Sequence, residues 1–124
     1  MADHVRMASK GRWMNYSLDV QDNSVIVRVD GRVDESTWEA FGAGLSEAVR
    51  QAGQSGLAQV IIDLSELDYM SSRGLRVLTV AKREADQSAI SILLASPNEV
   101  MREILAISRY DKLFSISDTV EVKR

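Results

Sequence analysis

Apolar and polar side chains alternate in the first part of the chain, which is the pattern of a half-buried β-strand. The alternation runs through residues 15–20, pauses at a polar stretch over residues 21–24 and resumes through residues 25–29. The apolar positions that share a face are Tyr16, Leu18, Val20, Val25, Val27 and Val29. Two such runs joined by a short polar turn predict that the first two strands form an antiparallel hairpin.

The spacing then changes, because apolar residues recur every three or four positions between residues 38 and 52. This periodicity predicts an amphipathic helix. Its apolar stripe consists of Trp38, Phe41, Leu45, Ala48, Val49 and Ala52. Gly53 and Gly56 follow the stripe and predict the end of the helix, and both aromatic residues are expected in the core.

The middle of the chain predicts an inner strand, a short loop and a second helix. Residues 58–64 form a nearly continuous apolar run, which is typical of a strand covered on both faces. Residues 65–70 are more polar and predict the loop, and the helix is expected to begin near Ser72. Its predicted buried face comprises Gly74, Leu78, Ala81 and Ala85.

Two more strands and a third helix complete the pattern. Apolar residues 90–95 predict another inner strand, and residues 113–116 predict a short last strand. Between them, Ser96-Pro97-Asn98-Glu99 combines a capping box with proline at the first helical position, which predicts a helix start at Ser96. The expected buried face of this helix is Val100, Met101, Ile104, Leu105 and Ile107.

The order ββαβαβαβ predicts an α/β fold with a mixed sheet of four to five strands and helices packed against it. Residues 15–124 are expected to form one domain after a flexible N-terminal lead-in, residues 1–14. If the second strand lies parallel to and beside the third, the loop over residues 30–34 neighbours Ser71 and Ser72. Open α/β sheets place their sites at this carboxyl edge.

Composition narrows the classes of function. The 124 residues are 45% hydrophobic, which suits one ordinary core, and the absence of cysteine excludes disulfides and thiolate catalysis. A net charge of −3 without a long basic run argues against nucleic acid, and no segment approaches the roughly 20 apolar residues of a membrane helix. His4 has no companion at metal-ligand spacing. We therefore expect a cytoplasmic protein without a metal, nucleic-acid or membrane partner.

Several enzyme and signalling classes lack their essential residues here. A phospho-receiver domain is also α/β and carries an acid at the end of its third strand, as Asp63 would be. Its magnesium-binding acidic pair after the first strand and its later lysine are missing from this chain. Nucleophilic catalysis has no base to use, and neither a Gly-x-Ser-x-Gly elbow nor a Gly-x-x-x-x-Gly-Lys loop is present. The sequence favours a binding function.

A serine at a helix start is, by itself, most simply an N-cap, worth about 1 kcal/mol. A phosphoserine there would bring about −1.5 to −2 charges to the unpaired N–H groups and positive dipole end of the helix. Both interpretations can hold, since Ser71 can cap while Ser72 points outward. Asp34 is either a cap of the first helix or a contact near Ser72, and Asp63 either bonds to loop amides or orders the serine loop.

Three segments together resemble the STAS domain, the fold shared by bacterial anti-sigma factor antagonists and the cytoplasmic tails of sulfate transporters. They are the turn Gly31-Arg32-Val33-Asp34, the strand Val60-Ile61-Ile62-Asp63-Leu64 and the stretch Tyr69-Met70-Ser71-Ser72-Arg73-Gly74-Leu75. Residues 96–105 and 110–116 are similar to the end of that family. The resemblance covers residues 16–122.

The resemblance implies an anti-sigma factor antagonist that is not an enzyme and needs no cofactor. In such antagonists, a partner kinase that is itself the anti-sigma factor phosphorylates a serine two positions before the glycine, which corresponds to Ser72, with Ser71 as second choice. The unphosphorylated protein would bind the kinase, phosphate would block the contact, and a serine phosphatase would restore it. The expected partner surface comprises Gly31, Arg32, Asp34, Met70, Ser71, Arg73, Gly74 and Leu75.

Two neighbours of Ser72 depart from the family pattern. Ser71 stands where the family often has aspartate, and Arg73 stands where a small residue is common. Loss of the acid removes repulsion against an added phosphate, and Arg73 is able to pair with it. We therefore hypothesise that Arg73 pairs with phosphorylated Ser72 and that the phosphorylated form is easier to hold here. The competing hypothesis is a constitutive STAS subunit that docks on a transporter ATPase or a signalling scaffold without being phosphorylated.

Overall fold

The computed structural model describes residues 13–120, which contain five strands and three α-helices in the predicted order. The lead-in through residue 12, including His4, and the tail after residue 120 lie outside the described residues. The elements are β1 (Met14–Gln21), β2 (Ser24–Val33), α1 (Trp38–Gln54), β3 (Gln59–Met70), α2 (Ser72–Gln87), β4 (Ser91–Ala95), α3 (Glu99–Ser108), a 3-10 turn (Tyr110–Lys112) and β5 (Ser115–Ser117).

The sheet has the strand order β1-β2-β3-β4-β5. β1 runs antiparallel to β2 through a tight turn in which Asp22 has a left-handed backbone with φ of 53°. From β2 onward each strand is parallel to the next. The carboxyl ends of β2 and β3 therefore meet at one edge of the sheet. The predicted hairpin and mixed sheet are confirmed.

The three helices pack on the same face of the sheet. This is expected for parallel strands that follow chain order, since such crossovers are almost always right-handed. The main core on that face includes strand side chains and one or more side chains from each helix, among them Val27, Ile62, Leu94, Phe41, Leu78 and Leu105. α2 buries the predicted set of Gly74, Leu78, Ala81 and Ala85. A smaller buried group, Ile26, Ile61 and Ala95, lies on the opposite face of the sheet.

The predicted loop over residues 65–70 is wrong, because β3 continues to Met70 and pairs with residues 30–33 of β2. Those β2 residues, which the sequence also predicts as a loop, are strand as well. The ladder shifts register between Arg28 and Asp30 and again between Gly31 and Arg32, each time with an extra residue on β3. Such bulges interrupt the alternation by which a strand is recognised in sequence.

The ends of three other strands also differ from the prediction. β1 already includes Met14, whose side chain is buried, so the flexible lead-in does not extend to residue 14. β4 begins at Ser91, one residue late, and β5 begins at Ser115, two residues late. The 3-10 turn before β5 takes up the residues between α3 and that last strand.

The cap of α3 is Asn98 and not the predicted Ser96. The Asn98 Oδ1 accepts a hydrogen bond from the Met101 N–H at 2.9 Å, and its Nδ2 donates to the Leu67 carbonyl oxygen at 2.8 Å. Ser96 has a left-handed backbone, with φ of 54°, and donates its N–H to the Ser117 carbonyl. A side chain that both caps the helix and bonds to β3 places the helix start two residues later.

The predicted buried face of α3 is too wide. Met101 and Leu105 are buried, and Ile104 is half-buried against the core. Val100 and Ile107 are more than half exposed. One helix presents only a limited arc to the sheet, so apolar residues outside that arc remain at the surface.

Candidate functional site

The predicted meeting of the two segments at the carboxyl edge is confirmed. Val33 at the end of β2 pairs with Met70 at the end of β3. The Ser71 N–H donates to the Val33 carbonyl oxygen at 2.8 Å, so the first residue after β3 is still held by β2. The start of α2 therefore lies directly beside the end of β2.

Two glycines are needed near this edge. Gly31 has φ of +106°, and a Cβ built there would overlap the Trp13 carbonyl oxygen beside β1. A Cβ on Gly74 would lie 2.5 Å from the Met70 Cγ and 2.7 Å from the Val33 Cγ1. Gly74 thus allows the first turn of α2 to pack onto the ends of both strands. Both glycines and Met70 are buried and shape the site from below its surface.

The two serines at the start of α2 have different environments. Ser71 is the N-cap, and its half-buried side chain accepts a hydrogen bond from the Gly74 N–H at 3.4 Å. Ser72 is the first residue of the helix and is exposed. Within residues 13–120, its hydroxyl has no hydrogen-bond partner. The interpretation in which Ser71 caps and Ser72 points outward is confirmed.

The loop before α1 is closed by the side chains of Asp34 and Thr37. The Asp34 carboxylate accepts hydrogen bonds from the N–H and hydroxyl of Ser36, at 3.0 and 2.9 Å, and Oδ2 lies 3.6 Å from the Arg32 Nε. The buried Thr37 hydroxyl donates to the Arg32 carbonyl oxygen at 2.7 Å and accepts from the Asp34 N–H at 2.9 Å. Thr37, and not the predicted Asp34, occupies the N-cap position of α1.

Two arginines belong to the segments that meet at this edge of the sheet, and each guanidinium lies over an aromatic ring. The Arg32 guanidinium lies over the Tyr69 ring, 4.5 Å from its centroid. The Arg73 guanidinium lies 5.1 Å from the centroid of the Trp38 ring, and its Nε is 3.4 Å from the Glu35 Oε1. Trp38, expected in the core, is half-buried, because it packs against the core while Arg73 covers part of its ring.

A groove of about 570 Å³ extends from Ser72 between α1 and α2. Its walls are mainly apolar, and its polar lining residues stand at the two ends. Ser72, Arg73 and Arg76 lie at the end near the sheet edge. Farther along, the Ser46 hydroxyl donates a hydrogen bond to the Glu84 carboxylate at 3.2 Å. The lining consists of Trp38, Gly42, Ser46, Ser72, Arg73, Arg76, Val77, Val80, Ala81 and Glu84.

Sequence reasoning missed this groove and two of the contacts beside Ser72. Glu35 is absent from the predicted site residues, and spacing alone assigns Trp38 to the helix stripe. One signal could have found them. Glu35 lies in the short loop after β2 and Trp38 begins α1 at the end of that loop, so both are carried to the same sheet edge as Ser72.

Asp63 lies inside β3 and not at its end. Its Oδ1 accepts a hydrogen bond from the Ser65 N–H at 3.0 Å, and its Oδ2 is 3.7 Å from the Arg28 Nε. This confirms the structural interpretation of Asp63 as an acid bonded to a nearby amide. Asp63 lies where the ladder between β2 and β3 shifts register, and it is several residues before the serines in the chain.

Residues 13–120 contain no group of three or more His, Cys, Asp or Glu side chains that could hold a metal ion. Over the same range, no helix is both long and apolar enough to cross a membrane.

The fold and site define a small mixed α/β domain with an exposed serine at a helix start beside an apolar groove. The sequence of residues 15–122 matches the STAS domain, so the chain belongs to the STAS domain family. BtrV of Bordetella bronchiseptica, which is named as an anti-sigma factor antagonist, is 29% identical over 108 residues, covering 87% of this chain and 90% of that protein.

Two solved structures of SpoIIAA have the same fold. The anti-sigma factor antagonist SpoIIAA in its unphosphorylated form has a TM-score of 0.66 and 22% identity, covering 82% of this chain and 86% of that chain. The Bacillus cell fate determinant SpoIIAA in the phosphorylated form has a TM-score of 0.59 and 24% identity, covering 82% and 89%. The α/β fold and ββαβαβαβ order predicted from sequence are therefore confirmed.

Proposed function

We propose that this protein is an anti-sigma factor antagonist controlled by phosphorylation of Ser72. The unphosphorylated protein binds a serine kinase that is itself the anti-sigma factor, and phosphate on Ser72 releases that partner. A serine phosphatase restores binding. Membership of the STAS domain family, the name of the relative BtrV and the existence of SpoIIAA in two phosphorylation states support this proposal.

The proposal depends most on the different environments of the two serines, since Ser71 caps α2 and Ser72 is exposed. Because the Ser71 hydroxyl accepts from the Gly74 N–H, a phosphate on Ser71 would displace a helix cap. Ser72 is exposed, and its hydroxyl makes no hydrogen bond within residues 13–120. A kinase can therefore modify Ser72 without first opening the helix start.

The proposed partner surface is the exposed rim around Ser72. Arg73 presents a charged side chain beside Ser72, Arg32 presents one from the end of β2, and Leu75 is half-buried on α2. Gly31, Met70 and Gly74 are buried, so they position the rim, and Asp34 holds the loop that carries it. A phosphate of about −1.5 to −2 charges at the centre of a packed interface would be desolvated, which opposes binding.

In this proposal the chain is the substrate and binding partner of other enzymes and does no chemistry of its own. Ser72 receives the phosphate from the kinase and loses it to the phosphatase. We place the protein in the cytoplasm, where such a kinase and a sigma factor act together. No cofactor or nucleic acid takes part in its own step.

Phosphosite mapping by mass spectrometry tests the proposal on protein isolated from its native cells in resting and stressed growth. We expect phosphate on Ser72 that changes with condition and disappears after phosphatase treatment. Phosphate found on Ser71 alone would overturn the assignment of Ser72 as the acceptor and would retain a serine switch at the start of α2. Absence of phosphate from both serines under every condition would overturn the switch and favour a constitutive docking subunit.

Binding of the co-purifying kinase to two variants gives a second test. Ser72→Ala should bind the kinase and lose regulation, whereas Ser72→Asp should bind at least about tenfold more weakly because it places a charge in the interface. Ser65→Asp, an exposed serine on β3, is the matched charge control. A constitutive subunit would tolerate both changes at Ser72.

A further inference from the structure

Arg76 is a basic residue that the proposed function has not used. It lies one helical turn after Ser72 on α2, and both residues border the same groove. Arg76 is exposed, and within residues 13–120 it makes no ion pair or ring contact. Residues four positions apart on a helix are neighbours on its surface. An unpaired cation therefore lies beside the hydroxyl that we propose is phosphorylated.

Arg73, which the sequence favours as the phosphate partner, is less well placed. Its guanidinium already lies over the Trp38 ring and pairs with Glu35. It is also adjacent to Ser72 in sequence, and neighbouring positions on a helix do not face each other. A phosphate would have to draw Arg73 away from two partners, whereas Arg76 has none to give up among the described residues.

The charges around the groove favour the same residue. The charged side chains that line the groove are Arg73, Arg76 and Glu84. Glu84 lies two helical turns beyond Arg76 and accepts a hydrogen bond from Ser46 on α1. Glu35 reaches the site from the loop before α1 and is paired with Arg73. The stretch of groove between Ser72 and Arg76 therefore contains no carboxylate that would compete for the arginine.

We propose that Arg76 binds the phosphate of phosphorylated Ser72, so that the modified side chain lies back along α2 over the mouth of the groove. The guanidinium can donate two hydrogen bonds to one phosphate, a geometry that lysine does not match. The phosphorylated form then differs from the free form in two ways, because a charge is added at Ser72 and the cation at Arg76 is neutralised. This inference rests on Ser72 as the acceptor.

The test uses the full chain with phosphoserine incorporated at position 72 during synthesis. The ³¹P NMR signal of the phosphate is followed from pH 4 to pH 9, through its second ionisation at about pH 6. Pairing with Arg76 stabilises the dianion, so Arg76→Gln should raise the titration midpoint by about 0.3 pH unit. Arg76→Lys should recover part of that change.

Arg83→Gln is the matched control, because it removes the same charge from an exposed position farther along α2. The inference is overturned if Arg76→Gln shifts the midpoint no more than Arg83→Gln, or if Arg73→Gln shifts it more than Arg76→Gln. A measurement without substitution guards against misfolded variants. The Arg76 Nε–H signal of the phosphoprotein should move as the phosphate ionises, and a signal that stays in place contradicts the pairing.

This outcome is independent of the test of the proposed function. Phosphoserine is placed at position 72 by synthesis, so the titration does not require that any kinase modify Ser72. Failure to find phosphate on Ser72 in cells would overturn the switch. Failure of Arg76→Gln to move the titration would overturn only the phosphate contact.

Discussion

The helices α1 and α2 both begin at the carboxyl edge of the sheet, and their starts are built differently. At α1, the Thr37 hydroxyl and the Asp34 carboxylate are both bonded within the loop that leads into the helix. At α2, Ser71 provides the cap, and the next hydroxyl, on Ser72, is exposed. A helix start can carry a modifiable hydroxyl without losing stability when a different residue caps it.

The two helix starts also differ in the packing beneath them. The first turn of α2 lies on the ends of β2 and β3, where Gly74 leaves room for the side chains of Met70 and Val33. The α1 start is held mainly by polar bonds within its own loop. At the start of α2, we therefore expect substitutions that disturb packing to lower the free energy of unfolding most. At the start of α1, we expect the largest loss from substitutions that remove a hydroxyl group.

The largest expected effect is that of Gly74→Ala. The new methyl group would meet the Met70 Cγ and the Val33 Cγ1, so the free energy of unfolding should fall by about 2 to 3 kcal/mol. Urea unfolding measures this loss. Gly42→Ala, whose methyl would lie 3.7 Å from Val77, is the matched helical control and should be neutral or stabilising by up to about 1 kcal/mol. Equal losses in both variants would contradict the packing argument.

Thr37→Val should cost about 2 kcal/mol, because it leaves the Arg32 carbonyl oxygen and the Asp34 N–H without their hydroxyl partner in a buried place. Valine has nearly the same shape, so the loss reports the hydrogen bonds. Thr37→Ser retains the hydroxyl and should recover much of the stability. If valine and serine cost the same, packing and not hydrogen bonding holds the start of α1.

Ser71→Ala should lower the free energy of unfolding by about 1 kcal/mol through loss of the cap of α2. Amide hydrogen exchange at Gly74 should become faster, since that N–H loses its acceptor. Ser71→Asp, which can still cap, serves as the comparison. Unchanged exchange at Gly74 in the alanine variant would show that the Ser71 side chain does not hold the helix start.

Arg73 joins the two helix starts, and its pair with Glu35 should be worth about 0.5 kcal/mol. Both side chains are more than half exposed, so solvent screens the pair. A double-mutant cycle with Arg73→Ala and Glu35→Ala measures the coupling, which should diminish at high salt. A coupling energy of zero would mean that the contact with Trp38 alone positions Arg73.

The smallest expected effect is that of Ser72→Ala, within about 0.5 kcal/mol of the parent protein, because an exposed hydroxyl outside the cap contributes little. Thermal unfolding at matched pH measures it beside Ser71→Ala. A loss at Ser72 as large as that at Ser71 would erase the distinction between cap and acceptor.

Much of the fold was predictable, since strong periodicity reports burial directly. The buried face of α2, from Gly74 to Ala85, followed from helical spacing, and the hairpin followed from alternation around the turn at Asp22. The second half of β3 was not predictable, because two bulges break the alternation and its polar residues resemble a loop. At α3, sequence could not show that Asn98 bonds to Leu67 on another element.

The candidate site, like the fold, could be predicted only in part. Ser71 and Ser72 could be found from sequence because a short polar pair before a helical stripe is a local signal. Their separate environments could be expected but not decided. The Arg73 contacts with Glu35 and Trp38, and the groove shared by Ser72 and Arg76, join residues from different elements and required the structure.

The sequence by itself determined the order of elements, the buried face of α2, most of that of α1 and the position of the helix start that carries the serines. These depend on spacing between residues that are near each other in the chain, and burial imposes that spacing. Only the tertiary structure decided which hydroxyl is exposed, which arginine is unpaired and where β3 ends. Those properties depend on atoms brought together from distant segments, and no local pattern records such distances.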